Sequence, residues 1–260
     1  MQPIDSSKSE SGSVSVKSAR RVFEVLEYFD EHQQAATVID VANKLGYPQS
    51  STSALMRTMR DLGYLHYDGS ERTYVPTARV ALMGQWINNP YYRDGHLRAL
   101  MQDLSQRTGE TILLAARNGL YAQYVHVVQA SVAMRLFVPN GTLRPLAQTA
   151  AGLMLLSSYS DAEVGRIVKR INADPSHSQG SLDPDTVLRA VQEVREQGYS
   201  FSLGLLRPST GAVAMLLPVP PGAPPLVLTV AGVIEEVRIN KERIVQMMRS
   251  LIYVHLSSDM

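Results

Sequence analysis

Gln49-Ser50-Ser51-Thr52-Ser53 sets five small or medium polar side chains in a row, and Arg57 and Arg60 follow further along the same segment. On the first turns of a helix, side chains of this size can reach base edges in a duplex major groove, which admits one α-helix. A helix N-terminus also carries free N–H groups and a partial positive charge, both of which favour phosphate. Lys17, Arg20 and Arg21 upstream, and Arg72 and Tyr74 downstream, have the chemistry to hold a sugar–phosphate backbone. The same polar run could equally cap a helix, with its arginines merely solvated. The elements that carry these residues therefore decide between the two readings.

Other chemistry is sparse. There is no cysteine, which excludes disulfides, thiolate metal sites and cysteine nucleophiles. No two glycines stand as G-x-G, so dinucleotide and Walker-type phosphate loops are missing. Gly198-Tyr199-Ser200-Phe201-Ser202 approaches a nucleophile elbow and lacks the closing glycine. No Ser-x-x-Lys occurs. His32, His66, His96, His126, His177 and His255 form no H-x-x-x-H pair, so neither a metal nor any other cofactor is expected. Asn140-Gly141-Thr142 matches a glycosylation sequon and reads simply as a turn. We expect no enzyme.

The elements around the polar run have a definite pattern. Ala19, Val22, Phe23, Leu26 and Phe29 recur at helical spacing, with Ser18 as the expected N-cap. A second, short helix follows Thr37, with Val38, Val41, Ala42 and Leu45 inward and Gly46 as its stop. The third runs from about Gln49 to Leu62, with Leu55, Met59 and Leu62 inward and Gly63 after it. Tyr64–Tyr67 and Arg72–Val75 flank Asp68-Gly69-Ser70-Glu71 as a small hairpin. Three helices and a hairpin make a winged helix-turn-helix. A connector helix is expected from Ala78 to Trp86, and a domain boundary near Asn88-Asn89-Pro90.

The rest reads as α+β. A helix is expected over Tyr91–Arg107, and an Asn118-Gly119 hairpin joins strands at Thr111–Ala116 and Tyr121–Val128. Further strands are expected at Met134–Val138, Ser200–Leu203, Val213–Val219 and Leu226–Val230. Helices are expected near 148–158, 161–171, 184–197 and Glu236–His255. The organisation is thus a disordered tail (1–15), a winged helix-turn-helix (16–76), a linker helix (77–90) and an α+β domain (91–260).

Composition sets limits on this reading. Apolar residues make up 45% and charged residues 19% of the 260, which is ordinary globular chemistry. No apolar run approaches the roughly 20 residues that span a bilayer, and the serine-rich start has no apolar signal core, so a cytoplasmic location is expected. Residues 1–75 carry eight basic side chains against ten acidic ones, a balance of −2. Any attraction to nucleic acid must come from a local patch.

These segments resemble the isocitrate lyase regulator (IclR) family of bacterial transcription factors. The resemblance runs through Ser18-Ala19-Arg20-Arg21-Val22 to Leu26, Val41-Ala42-Asn43-Lys44-Leu45-Gly46, and Pro48-Gln49-Ser50-Ser51. It continues through Leu55-Met56-Arg57-Thr58-Met59, Leu62-Gly63-Tyr64-Leu65, and Arg72-Thr73-Tyr74 with Pro76-Thr77. In the second half it rests on Thr108-Gly109-Glu110-Thr111, Arg144-Pro145-Leu146 with Thr149-Ala150-Ala151-Gly152, and Gly198-Tyr199-Ser200. Many members carry arginine where this chain has Ala54, and Arg57 is the cation that could stand in.

The resemblance implies an N-terminal DNA-binding module, a helical linker and a GAF/PAS-like domain with an antiparallel sheet that holds a small effector. It points to Thr149, Ala150, Ser202, Ala214, Thr229 and Ala231 as effector-binding. These side chains are small and weakly polar, and suit an aromatic or aromatic-acid molecule; Arg144 and Arg207 are the nearest partners for a carboxylate. Thr149 is equally well read as a helix N-cap. The implied partners are double-stranded, palindromic operator DNA, the effector and a second copy of the chain, as a homodimer or tetramer, and no membrane. Val80, Ala81, Leu82 and Trp86 on the linker suit a subunit interface, or packing within one chain. The alternative from another class is a ligand-binding or enzymatic α+β protein whose N-terminal module docks protein, which the −2 balance favours.

Overall fold

In the computed structural model the described residues are 16–84, 95–130, 136–175, 180–205, 207–220 and 222–256. They fall into two compact units, one within residues 1–88 and the other within 89–260.

In the first unit, α1 (Lys17–His32), α2 (Val38–Leu45) and α3 (Gln49–Asp61) precede the hairpin of β1 (Leu65–Asp68) and β2 (Thr73–Pro76). Ser18 lies inside α1, whose N-cap is Val16, without a side-chain cap. Thr37 does cap α2, in a reciprocal box with Asp40, and Gly46 ends it at φ 69°. The core gathers Val25, Tyr28, Phe29, Val41, Met56, Met59, Leu65 and Tyr74. Two apolar residues expected inside are on the surface: Phe23 is 64% exposed and Leu62 57%. In α3 the buried stripe is Thr52, Met56 and Met59, with Leu55 packed partly buried beside it, while Leu62 lies at the C-cap past the helix end and is exposed. Ala36 exchanges both backbone hydrogen bonds with Tyr74, which ties the entry to α2 onto the wing.

The connector α4 (Ala78–Leu82) is shorter than the expected run; Trp86 lies outside the described residues. Thr77 caps α4 and donates its hydroxyl to the Gly63 carbonyl at 2.6 Å. Arg79 donates to the Leu62 carbonyl and lies over the Tyr64 ring.

The second unit is built on one antiparallel sheet. Its strands are β3 (Thr111–Asn118), β4 (Tyr121–Val128), β5 (Leu143–Pro145), β6 (Ser200–Leu203), β7 (Thr210–Leu216) and β8 (Leu226–Val233), in the spatial order β5-β4-β3-β8-β7-β6. Alternate residues of β3 face opposite cores, because a strand has a side-chain period of two. Leu113 and Ala115 pack with α6 (Ala150–Leu156), α7 (Asp161–Ala173) and α8 (Pro184–Gln197). Ile112 and Leu114 pack with α5 (His96–Thr108), α9 (Ile234–Ile239) and α10 (Lys241–Leu256).

Several boundaries differ from the sequence reading, among them the strand expected at Val213–Val219, which is Thr210–Leu216. Leu136–Val138 is not a strand, and Met134 and Arg135 lie outside the described residues. The Gln129 side-chain amide occupies both backbone groups of Val138, leaving none for a neighbouring strand. The edge strand forms instead at Leu143–Pro145, which pairs with Tyr121–Gln123. The last helix is interrupted at Asn240, whose side chain donates to the Glu236 carbonyl. Of the expected helix over Tyr91–Arg107, the part before Gly95 lies outside the described residues.

Candidate nucleic-acid interface and ligand cleft

α3 carries its two faces in register with its burial. Thr52, Met56 and Met59 lie against the core, while Ser50, Ser51, Ala54, Arg57 and Thr58 are exposed. Gln49 and Ser50 open the helix after Pro48, and no side chain caps it, so its leading N–H groups meet solvent. Ser53 is half-buried. Arg57 folds back by one hydrogen bond, from Nε to the Ser53 carbonyl at 3.3 Å. The outward stripe therefore presents short hydroxyls at the helix start and one guanidinium a turn later. Thr58 belongs to this stripe as well; its neighbour-to-neighbour position after Arg57 gave no separate signal in the sequence.

Two residues expected on this surface are not there. Thr52 is 1% exposed and donates its hydroxyl to the Pro48 carbonyl, as a core residue of the helix start. Tyr74 is 4% exposed; its ring lies 4.7 Å from that of Tyr67, beneath the hairpin. In both cases the side chain points inward because the period of the element puts it on the packed face.

The cations also divide. Arg20 pairs with Glu24 at 2.8 Å, and that partner raises its pKa from the ordinary value. Arg21 lies over the Tyr47 ring, whose hydroxyl donates to Glu24. Arg60 pairs with Asp61 at 2.6 Å and Lys44 with Glu31 at 3.2 Å. Lys17, Arg57 and Arg72 have no carboxylate partner among the described residues. Arg72 stands at the wing turn with φ 56°, the left-handed region. The turn before it is held by Asp68, whose carboxylate accepts from the Ser70 N–H and hydroxyl and from the Glu71 N–H. Pairing Arg20, Lys44 and Arg60 with acids while Lys17, Arg57 and Arg72 stay without one among the described residues leaves local positive points on a module that is not basic overall.

The second unit holds a cleft of about 60 Å³, partly open to solvent. Its floor is the sheet: Leu113 of β3, Tyr124 of β4, Ala212 of β7, Thr229 and Ala231 of β8. Thr149, Ala150 and Ala151 at the start of α6 form one wall, with Leu136, Val138 and Arg144 beside them. Ser202, Leu205, Arg207 and Thr210 form the other. Ala214 does not line it. It is fully buried between Ser200 and Thr229 in the strand register, and Ala212, one pair closer to the open end, takes its place.

Thr149 both lines the cleft and caps α6, accepting from the Gly152 N–H at 3.0 Å. Thr229 is 1% exposed, and its hydroxyl has no hydrogen-bond partner among the described residues. Burial lowers the Arg144 pKa from its ordinary value; the charge of Arg207 acts in the same direction, against Tyr124. Burial raises the Tyr124 pKa. Neither Asp nor Glu lines the cleft. An apolar floor, scattered hydroxyls and two guanidiniums without a carboxylate partner among the described residues suit an organic anion. Among the described residues no cluster of His, Asp or Glu could hold a metal, and no helix is long and apolar enough to cross a membrane.

Comparison with known proteins agrees with both halves. The model of the IclR helix-turn-helix domain matches residues 18–69, and that of the bacterial transcriptional regulator IclR C-terminal matches residues 96–253. The HTH-type transcriptional regulator KdgR of Escherichia coli K12 is 27% identical over 187 residues, covering 71% of this chain and 70% of its own. The transcriptional repressor IclR of the same organism is 23% identical over 188 residues, covering 72% and 69%. Among solved structures, the effector domain of an IclR regulator from Acinetobacter sp. ADP1 aligns with TM-score 0.58 at 26% identity, covering 63% of this chain and 95% of that one. These relatives are transcriptional regulators rather than enzymes. A helix-turn-helix of this family type, joined in one chain to an antiparallel sheet domain of the same family, leaves one conclusion: the chain belongs to the IclR family of DNA-binding bacterial transcriptional regulators.

Proposed function

We propose that this chain is a sequence-specific repressor that binds a palindromic operator through α3 and the wing, and that a small aromatic or aromatic-acid effector in the cleft controls it. The observation that carries the DNA reading is the outward stripe of α3. Ser50 and Ser51 are exposed at an uncapped helix start, and Arg57 has no acid partner among the described residues. Lys17 and Arg72 suit phosphate contacts on either side. The repressor sense is drawn from the relative named as a repressor. Effector chemistry is drawn from the apolar floor and the Arg144–Arg207 pair.

One recognition helix reads only a short half-site, so a homodimer, or a tetramer of two such pairs, fits the mechanism. Leu82 and Met83, both exposed beside α4, suit that interface. A cytoplasmic site of action follows from the same reading.

A gel shift with operator DNA across a salt series tests the interface. Arg57→Ala and Ser51→Ala should each weaken binding by about 1–3 kcal/mol, and Arg57→Ala should flatten the salt slope if it holds a phosphate. Wild-type affinity in both variants at matched salt would remove α3 from the interface. The −2 balance of residues 1–75 favours one other reading, that this module docks protein. Binding of DNA that does not weaken as salt rises would turn the choice toward it.

A further inference from the structure

Arg144 and Arg207 reach one cleft from opposite edges of one sheet. Arg144 sits on β5, the first strand in the spatial order, and Arg207 in the turn after β6, the last. Four strands lie between those edges, yet both side chains line the same cleft, near enough for the charge of one to act on the other. Neither has a carboxylate partner among the described residues. Arg144 is half-buried and Arg207 exposed, and an anion placed between them would be attracted by both charges. A second observation also points to a ligand. The Thr229 hydroxyl, buried in the floor, has no partner among the described residues, and a buried polar group left unmet is costly unless something fills its place.

Resting on the effector reading above, we propose that the bound acid ties the two edges of the sheet together. One carboxylate is held jointly by Arg144 and Arg207, and the apolar body of the ligand lies against Leu113, Leu136 and Leu205. The turn that carries Arg207 is closed by two short-range bonds, Gly204 N–H to the Thr210 carbonyl at 2.8 Å and Thr210 N–H to the Arg207 carbonyl at 3.0 Å. Binding therefore transmits from β5 to that turn through the ligand. Among the described residues no ion pair or hydrogen bond joins the two side chains, so the tie exists only when the acid is present. Such a ligand favours one arrangement of the β6–β7 turn by as much as it binds that arrangement more tightly.

The test uses the full chain and a panel of probes: benzoate, phenylacetate and their ring-hydroxylated forms, each beside its neutral primary amide. Calorimetry is run on the wild type, Arg144→Gln, Arg207→Gln and the double variant, with hydrogen exchange at the Gly204 and Thr210 amides. At least one acid should bind about tenfold to a hundredfold more tightly than its amide, the scale of a charge-assisted hydrogen bond. Each single variant should lose about that factor, and the loss in the double variant should depart from the sum of the singles, as expected for residues sharing one partner. Protection of the Thr210 amide should rise with acid in the wild type and stay flat in Arg144→Gln, whose change is on the far edge of the sheet.

Three results would overturn the tie while leaving an effector in the cleft: amides binding as well as acids, strictly additive losses, or turn protection that persists in Arg144→Gln. If no acid and no amide in the panel binds, or releases operator DNA, the aromatic-effector reading fails and the tie fails with it.

Discussion

Ser51 and Thr52 are neighbours with opposite surroundings. Ser51 is exposed at the start of α3, whereas Thr52 is packed beneath it and bonded to the Pro48 carbonyl. Ser51→Ala should therefore lower operator affinity at unchanged stability. Thr52→Ala should cost about 1–2 kcal/mol of stability through the lost buried bond and methyl, read as faster hydrogen exchange along α1–α3. Thr52→Ala that weakened DNA binding with exchange unchanged would return it to the interface. Glu110 gives a pH-dependent case. Its carboxyl lies over Gly232, and burial, with Glu236 nearby, raises its pKa from the ordinary value. The folded protein thus holds this proton more tightly than the unfolded chain. That contribution favours folding at pH below the unfolded-state pKa and is lost as pH rises through the folded one. Glu110→Gln should then raise the melting midpoint at neutral pH, with the gain shrinking as pH falls through the glutamate range. A gain that does not change with pH would exclude the charge as its cause.

At the level of elements, the start of α6 sets one wall of the cleft. Gly152 is the second residue after Ala150, and a Cβ there would lie 1.8 Å from the Leu146 carbonyl oxygen. That oxygen belongs to the backbone of the 3-10 turn Leu146–Gln148, which cannot swing aside as a side chain could. Gly152→Ala should destabilise the second unit by about 1–3 kcal/mol and displace Thr149 from the cleft. Thermal melts and binding of a cleft ligand would check both effects; a stable variant with unchanged binding would show that the turn gives way easily. The wing follows a different logic. Asp68 orders its turn with three hydrogen bonds, and so presents Arg72 without any core contact of its own. Asp68→Ala should loosen the turn and weaken DNA binding only modestly, since the backbone pairs of β1 and β2 remain.

For the whole molecule, the relevant distance is that between two recognition helices. If two copies bind together, their half-sites are separated by about 34 Å, one helical turn of DNA, or a multiple of it. Inserting about five base pairs between half-sites should abolish cooperative binding, and about ten should restore it, since only the second returns both grooves to one face. Binding indifferent to the insertion would mean that each copy acts alone. Electrostatics at this scale is weak. The chain carries a formal charge of +1, so local cations rather than a global field must draw in the duplex.

Periodicity and turn residues were enough to establish the helix–helix–helix–hairpin order, the start of α2 after Thr37 and the antiparallel hairpin at Asn118-Gly119, because local hydrogen bonding and side-chain period are written in consecutive residues. The small residues at Thr149, Ala150, Ser202, Thr229 and Ala231 were likewise visible, through the family resemblance. What consecutive residues could not decide was which side of each element meets the core. The packed face of α3 takes in Thr52 while Leu62, past the helix end, is exposed, and the strand period buries Tyr74. Nor could they reveal long-range pairings: Glu24 and Tyr47 engaging Arg20 and Arg21, Gln129 blocking a strand at Val138, or Ala212 taking the place of Ala214. Arg144 and Arg207 lie 63 positions apart in the chain, a separation read from their numbers alone. Only the tertiary arrangement around the six-stranded sheet, which carries one on each edge, puts both on one cleft.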